Sequence, residues 1–198
     1  MINLWKYLSE GLPDKKWISA SLCQTPTDED FLRAGRAIGE AYAKSDRRLL
    51  LLTSGALSHS FYRLRELRKH KRADPSHIFS EAARAADYER LDWLTAGDHA
   101  RVLETMPAFQ KVRPEGMFGN WLLTIRAIGQ EACTAPGVLY SEYENSIGTG
   151  QVNFWFPRPE GGLPAAKNLA LSREWRSGDR DPLHPARRIR HSGGRSRR

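Results

Sequence analysis

Leu49-Leu50-Leu51-Leu52-Thr53-Ser54-Gly55-Ala56-Leu57-Ser58-His59-Ser60 is the stretch on which the reading of this chain turns. Its first half is a continuous apolar run of the kind that suits a strand buried on both faces. Its second half is a loop of small residues that would let another molecule come close to the backbone. In open α/β sheets ligands bind outside the carboxyl ends of the strands, so this loop and its histidine fall where function is expected.

Towards the amino terminus, Asp46, Arg47 and Arg48 separate the leucine run from a helix. Thr27 offers an N-cap hydroxyl, and Asp28, Glu29 and Asp30 place carboxylates in the first turn, where they complement the helix dipole. Phe31, Ala34, Ile38 and Tyr42 then recur at helical spacing, which predicts an amphipathic helix over about residues 28–44. Before it, Trp17 to Leu22 follows a Gly-Leu-Pro-Asp turn and reads as a short strand. Strand, helix, strand implies an α/β fold, a sheet flanked by helices.

Towards the carboxyl terminus, Phe61 to Arg72 is strongly basic. Lacking an aromatic stacking platform, it reads as a solvated face or mobile loop rather than a phosphate-binding patch. A helical region is predicted from Asp74-Pro75-Ser76 to about Leu94, with a short helix over residues 98–105 ended by Pro107. A buried helix follows from Gly116 to Gly129. Val138 to Tyr143 and Gln151 to Phe156 read as strands separated by the turn Asn145 to Gly150. Pro157 and Pro159 end the ordered pattern, so the organisation expected is a domain over residues 1–160 and a disordered Arg/Gly-rich tail over 161–198.

The net charge of +8 invites a nucleic-acid partner, but its distribution argues against one. Residues 167–198 hold ten Lys/Arg and three Asp/Glu, a net of +7, leaving 21 basic against 20 acidic residues in the rest, a net of +1. A nearly neutral body with charge in a low-complexity end has no recognisable reading element. No apolar window is long enough for a membrane span and the amino terminus lacks the order of a secretory signal, so a cytoplasmic location is expected. Cys23 and Cys133, without CxxC spacing, suggest neither disulfide nor zinc site and read as buried small hydrophobes.

Among residues able to carry chemistry, His59 leads. A histidine in an arbitrary loop is more often structural, but its place after an apolar strand balances that. His70, His77 and His99, with Asp74 or Asp98, are metal-capable by type, yet none pairs at the i, i+4 spacing. Glu142 and Glu144 alternate with Tyr143 and could face one way, Glu142 towards a pocket and Glu144 towards solvent. Phe118, Trp121, Phe154 and Trp155 could wall a pocket for an aromatic ring, although aromatics at such spacing more often serve the core.

Ser54-Gly55-Ala56-Leu57-Ser58-His59 resembles the Ser-Gly-x-Leu-Ser-His loop of the class III extradiol ring-cleavage dioxygenases, the superfamily of the protocatechuate 4,5-dioxygenase catalytic subunit. The likeness is nearest to the 3,4-dihydroxyphenylacetate 2,3-dioxygenases. Three further points fall in the family's order: Ile18-Ser19-Ala20, the Glu115-Gly116 opening of a late helix ending in Ile128-Gly129, and Gly148-Thr149-Gly150-Gln151-Val152-Asn153 before Phe156-Pro157.

The resemblance implies extradiol cleavage of a catechol-type ring by dioxygen at ferrous iron. His59 would be the catalytic acid and base, and Ser58, Glu142, Gln151 and Asn153 would lie around the substrate. It also implies that the chain corresponds to the carboxy-terminal part of the family fold. The family's two iron-binding histidines precede the histidine loop, whereas this chain has none before His59. Where relatives carry the metal carboxylate, this chain has Asn120, with Glu115 close by. An iron site is therefore not expected in the chain alone: an amino-terminal partner chain is expected to complete it, with a homo-oligomer as the alternative association. A non-catalytic subunit that binds aromatic ligands or another chain is the alternative.

Overall fold

A computed structural model describes residues 10, 14–23, 25–129 and 134–157. The fold is mixed α/β, dominated by helices with two small antiparallel sheets.

Helix α1 (Asp28–Ala43) begins as the sequence predicts. The Thr27 hydroxyl accepts the Asp30 backbone N–H at 3.3 Å while the Asp30 carboxylate accepts that of Thr27 at 2.9 Å, a reciprocal capping box. The helical region after Asp74 is split: a single 3₁₀ turn, Pro75–His77, precedes α2 (Glu81–Ala96), whose true cap is Ser80, accepting from Ala83 N–H at 3.1 Å. Gly97, with φ 76°, ends α2 in the left-handed region that favours glycine. Helix α3 (His99–Glu104) follows on an Asp98 cap. Pro107 does not stop the chain there but sits in the first turn of α4 (Met106–Phe109), where its missing N–H leaves no bond unmade.

The late helix is shorter than predicted. Glu115–Phe118 is a 3₁₀ segment with Gly116 and Met117 in left-handed conformations, and α5 (Gly119–Gly129) starts beyond it. Phe31 of α1, Leu91 and Leu94 of α2, Val102, Met106, Phe109 and the apolar residues of α5 make one continuous core. Burial of this kind, at about 25 cal/mol per Å² of apolar surface, is what sustains a domain with so little sheet.

Both sheets are two-stranded. Strand β1 (Val138–Leu139) pairs antiparallel with β4 (Phe154–Trp155), and β2 (Glu144–Ser146) pairs with β3 (Thr149–Gln151). The two strands expected around the glycine turn thus meet only at their outer ends. The segment between folds into its own hairpin, turning at Ile147 and Gly148, both at positive φ.

The expected strands over Trp17–Leu22 and Leu49–Thr53 are not formed: both segments lack regular secondary structure and belong to neither sheet. A strand is held by ladder hydrogen bonds to a neighbour, and no described segment pairs with them in that way. Leu49, Leu50 and Leu52 are in consequence about half exposed. Cys23 is exposed rather than buried, and Cys133 and the tail from residue 161 lie outside the described residues.

Candidate functional site

The small-residue loop lies far deeper than its composition suggests. Ala56, Leu57 and Ser58 are each at most 5% exposed. The loop is stitched on two sides. Towards the hairpin, Leu57 N–H donates to the Gly150 carbonyl at 2.9 Å and Gly150 N–H to the Ser58 carbonyl at 3.0 Å. Towards the entry of α5, His59 N–H donates to the Arg113 carbonyl at 3.1 Å, and Glu115 N–H reaches the Ala56 and Leu57 carbonyls, each at 3.3 Å. Two later segments that the sequence singles out, Glu115-Gly116 and Gly148-Thr149-Gly150, are therefore the structural braces of the His59 loop.

Glu115 has two roles here. Its carboxylate accepts the Ala56 backbone N–H at 2.7 Å, and the same oxygen lies 4.0 Å from His59 Nε2, close enough to pair with the ring when it is protonated. The imidazole is partly exposed and meets Phe61 edge-on at 4.7 Å between centroids. A histidine facing solvent on one side and a carboxylate on the other is placed to exchange protons with a bound molecule.

Beneath the loop is a residue that sequence reasoning missed. Asp87, on α2, is wholly buried. It accepts three hydrogen bonds: Ser58 N–H at 2.9 Å, Ser58 Oγ–H at 2.6 Å and Tyr143 Oη–H at 2.7 Å. Burial pushes its carboxyl above the usual carboxylate range, and the Ser58 and Tyr143 donors oppose that shift. Burial beside this anion raises the Tyr143 phenol strongly as well. Its only sequence signal is a carboxylate among the alanines of a helix face, in Arg84-Ala85-Ala86-Asp87, a common pattern on solvated faces.

The other predicted site residues scatter. Asn120 is buried, its Oδ1 accepting the Trp121 N–H at 2.9 Å. A side chain at Gly55 would collide with it, since a Cβ there would come 2.2 Å from Asn120 Nδ2. Glu142 is exposed, as is Gln151, whose side chain reaches Thr149 Oγ1 at 3.3 Å. Asn153 N–H donates to Ser141 Oγ at 2.9 Å, and the residue borders a cavity of about 370 Å³. Phe118, Trp121, Phe154 and Trp155 line that cavity, together with the exposed leucine run; His59 does not. Of the other histidines, His70 and His77 bring their Nδ1 atoms to 3.3 Å, with His70 stacked on Tyr62. His99 is buried, with Nε2–H on the Ala135 carbonyl at 2.7 Å, and burial lowers its basicity.

Ferrous iron does not fit these donors. Among the described residues no three His, Cys, Asp or Glu side chains converge. Near His59 the one available carboxylate is Glu115, and the Asn120 amide oxygen is neutral and already committed to a backbone donor.

The fold is thus a mixed α/β domain that braces a histidine beside a carboxylate on a loop of small residues. The chain belongs to the family described as the catalytic LigB subunit of aromatic ring-opening dioxygenase, whose model matches residues 4–157. No curated protein matches it. No helix among the described residues is long and apolar enough to cross a membrane.

Proposed function

We propose that this chain takes part in the extradiol opening of a catechol-type ring, with 3,4-dihydroxyphenylacetate as the nearest substrate class, and that His59 is its proton-transfer residue. The observation that carries this reading is the pairing of His59 Nε2 with Glu115 at 4.0 Å on a loop braced from both sides. A catechol hydroxyl has a pKa of about 10, so at neutral pH it needs a positioned base to give up its proton. With Nε2 turned to Glu115, Nδ1 is the nitrogen assigned to take that proton. Glu115 then pairs with the imidazolium until the proton is returned to the opened product.

Because the donors near His59 do not fit ferrous iron, no step of the chemistry is assigned to iron held by this chain. The ligands are assigned instead to an amino-terminal partner chain or a second copy, in the cytoplasm. No nucleic-acid role is assigned to the basic residues from 161 onward. A second reading, a non-catalytic subunit that binds aromatic ligands, is favoured by the aromatic-lined cavity that excludes His59.

The test is an anaerobic ferrous titration of the purified chain with metal analysis. Oxygen and 3,4-dihydroxyphenylacetate are then added, with and without an amino-terminal half from a family member. Turnover is expected only with the added half, and His59→Gln should lower it by about 10²–10⁴-fold, the range of a lost general acid–base group. Turnover unaffected by that substitution removes His59 from the chemistry. Stoichiometric iron in the chain alone moves the ligand search to His70, His77 and His99. Catechol binding without turnover in either setting selects the second reading.

A further inference from the structure

The deepest polar group near the site has no part in the proton transfer just described. Asp87 is fully buried, and it is a single carboxylate set against two parts of the molecule. On one side it holds both donors of Ser58, the residue immediately before His59; on the other it holds Tyr143, which leads into β2. The third wall is Gly150, where a Cβ would come 2.1 Å from Asp87 Oδ2. Helix α2, the histidine loop and the glycine hairpin therefore converge on one carboxylate.

The geometry has a directional consequence. Ser58 is bound through N–H and Oγ–H to Asp87 and through its carbonyl to Gly150 N–H. Its backbone and its side-chain rotamer are both determined. His59 then adds one backbone bond, to Arg113, and among the described residues its imidazole meets the edge of Phe61 and approaches Glu115 at 4.0 Å without a hydrogen bond of its own. With no hydrogen bond on the ring among the described residues, the polar constraint on its register with Glu115 comes from the residue before it. Placement from behind, by groups that do not touch the substrate, is how a reacting side chain is held within about 0.5 Å of its working position.

We infer that Asp87 is a positioning residue for His59, acting through the Ser58 clamp, so that its loss disengages the histidine from Glu115 before it unfolds the domain. This rests on the reading of His59 as the proton-transfer residue. A carboxylate is needed because three donors must be accepted and an amide offers only one acceptor oxygen.

The experiment compares Asp87→Asn, Ser58→Ala and Tyr143→Phe by amide hydrogen exchange. Each is also titrated with 3,4-dihydroxyphenylacetate, anaerobically and with ferrous iron and the amino-terminal half present. In Asp87→Asn and Ser58→Ala the His59 amide should exchange at least tenfold faster relative to the amides of α5. The His59 ring protons should also lose the shift that Phe61 imposes. Tyr143→Phe leaves both Ser58 bonds in place, so it should lower Tm without either change. If all three variants speed exchange uniformly, Asp87 is a structural group only and the inference falls. Should Asp87→Asn not fold, Ser58→Ala against Tyr143→Phe decides the same point. A wild-type protein that fails to bind the catechol defeats the reading of His59 as a proton-transfer residue; the exchange data then decide whether Asp87 clamps the loop. Catechol binding that is equal in wild type and in a loosened Ser58→Ala defeats the positioning role alone.

Discussion

Two halves of one continuous segment behave in opposite ways. Leu49, Leu50 and Leu52 are as apolar as a sequence can be, yet each is about half exposed. A few residues on, Ser58 carries a hydroxyl and is 1% exposed. Hydropathy alone predicts the reverse. The difference lies in partners: the main chain of Ala56–His59 is matched by Gly150, Arg113 and Glu115, and the Ser58 side chain by Asp87. The leucine run has no neighbouring strand among the described residues. Burial in a sheet protein is granted to backbone that can pair, and side-chain apolarity comes second.

The sharpest way to break this comparison is to fill the space on which the buried half depends. Gly150→Ala places a methyl group against Asp87 Oδ2 and within 2.8 Å of the Tyr143 hydroxyl oxygen. Both are fixed by hydrogen bonds and cannot step aside cheaply. Overpacking in such surroundings costs about 1–3 kcal/mol, and loosening the Ser58 clamp places this variant at the upper end. Urea denaturation should show the midpoint falling with little change in slope. A loss below about 0.5 kcal/mol, within the usual surface range, would mean that the hairpin and the histidine loop are not held by a common anchor.

The buried polar groups also sharpen the comparison through pH, with opposite signs. Asp87 is raised by burial. Its contribution is therefore fully present below its ordinary value of 3.8 and is lost as pH rises through the higher folded value. His99 is lowered by burial. Its contribution is present above its ordinary value of 6.5 and is lost as pH falls towards the lower folded value. Stability measured by urea unfolding should fall as pH drops through about 6.5, and His99→Gln should flatten that limb. A limb of unchanged slope in the variant would mean that His99 accommodates its charge in the folded state.

What could be read from the sequence divides along the same line. Helix α1 was legible because its signals are local: Thr27 and Asp30 cap each other, and the apolar spacing names the buried face. The histidine loop, the Glu115-Gly116 entry and the glycine hairpin were legible as a pattern, and they do meet. Asp87 was not, because its role exists only once α2, the loop and Tyr143 are brought together; in sequence it is one more acid on a helix. The leucine run misled for the complementary reason. An apolar stretch reports what a strand would bury, and whether a neighbour is present to pair with it is a property of the rest of the fold. The split between Pro75–His77 and α2 was missed because Asp74-Pro75 and Ser80 are both competent starts, and only packing decides between them.

The smallest expected effect tests the exposed half directly. If Leu50 and Leu52 lie against solvent, as their 58% and 51% exposure indicates, then Leu50→Lys with Leu52→Lys removes little apolar contact. Stability should move by no more than about 0.5 kcal/mol, in the usual range of surface substitutions. The charges should also improve solubility, because an unpaired apolar segment invites pairing with other chains and lysine discourages it. A loss of 2 kcal/mol or more, together with a fall in apparent mass by light scattering, would mean that the run is covered in solution by another chain. The contrast between the two halves would then belong to the isolated chain, and the leucine run would become the place to look for the partner chain proposed to supply the iron ligands.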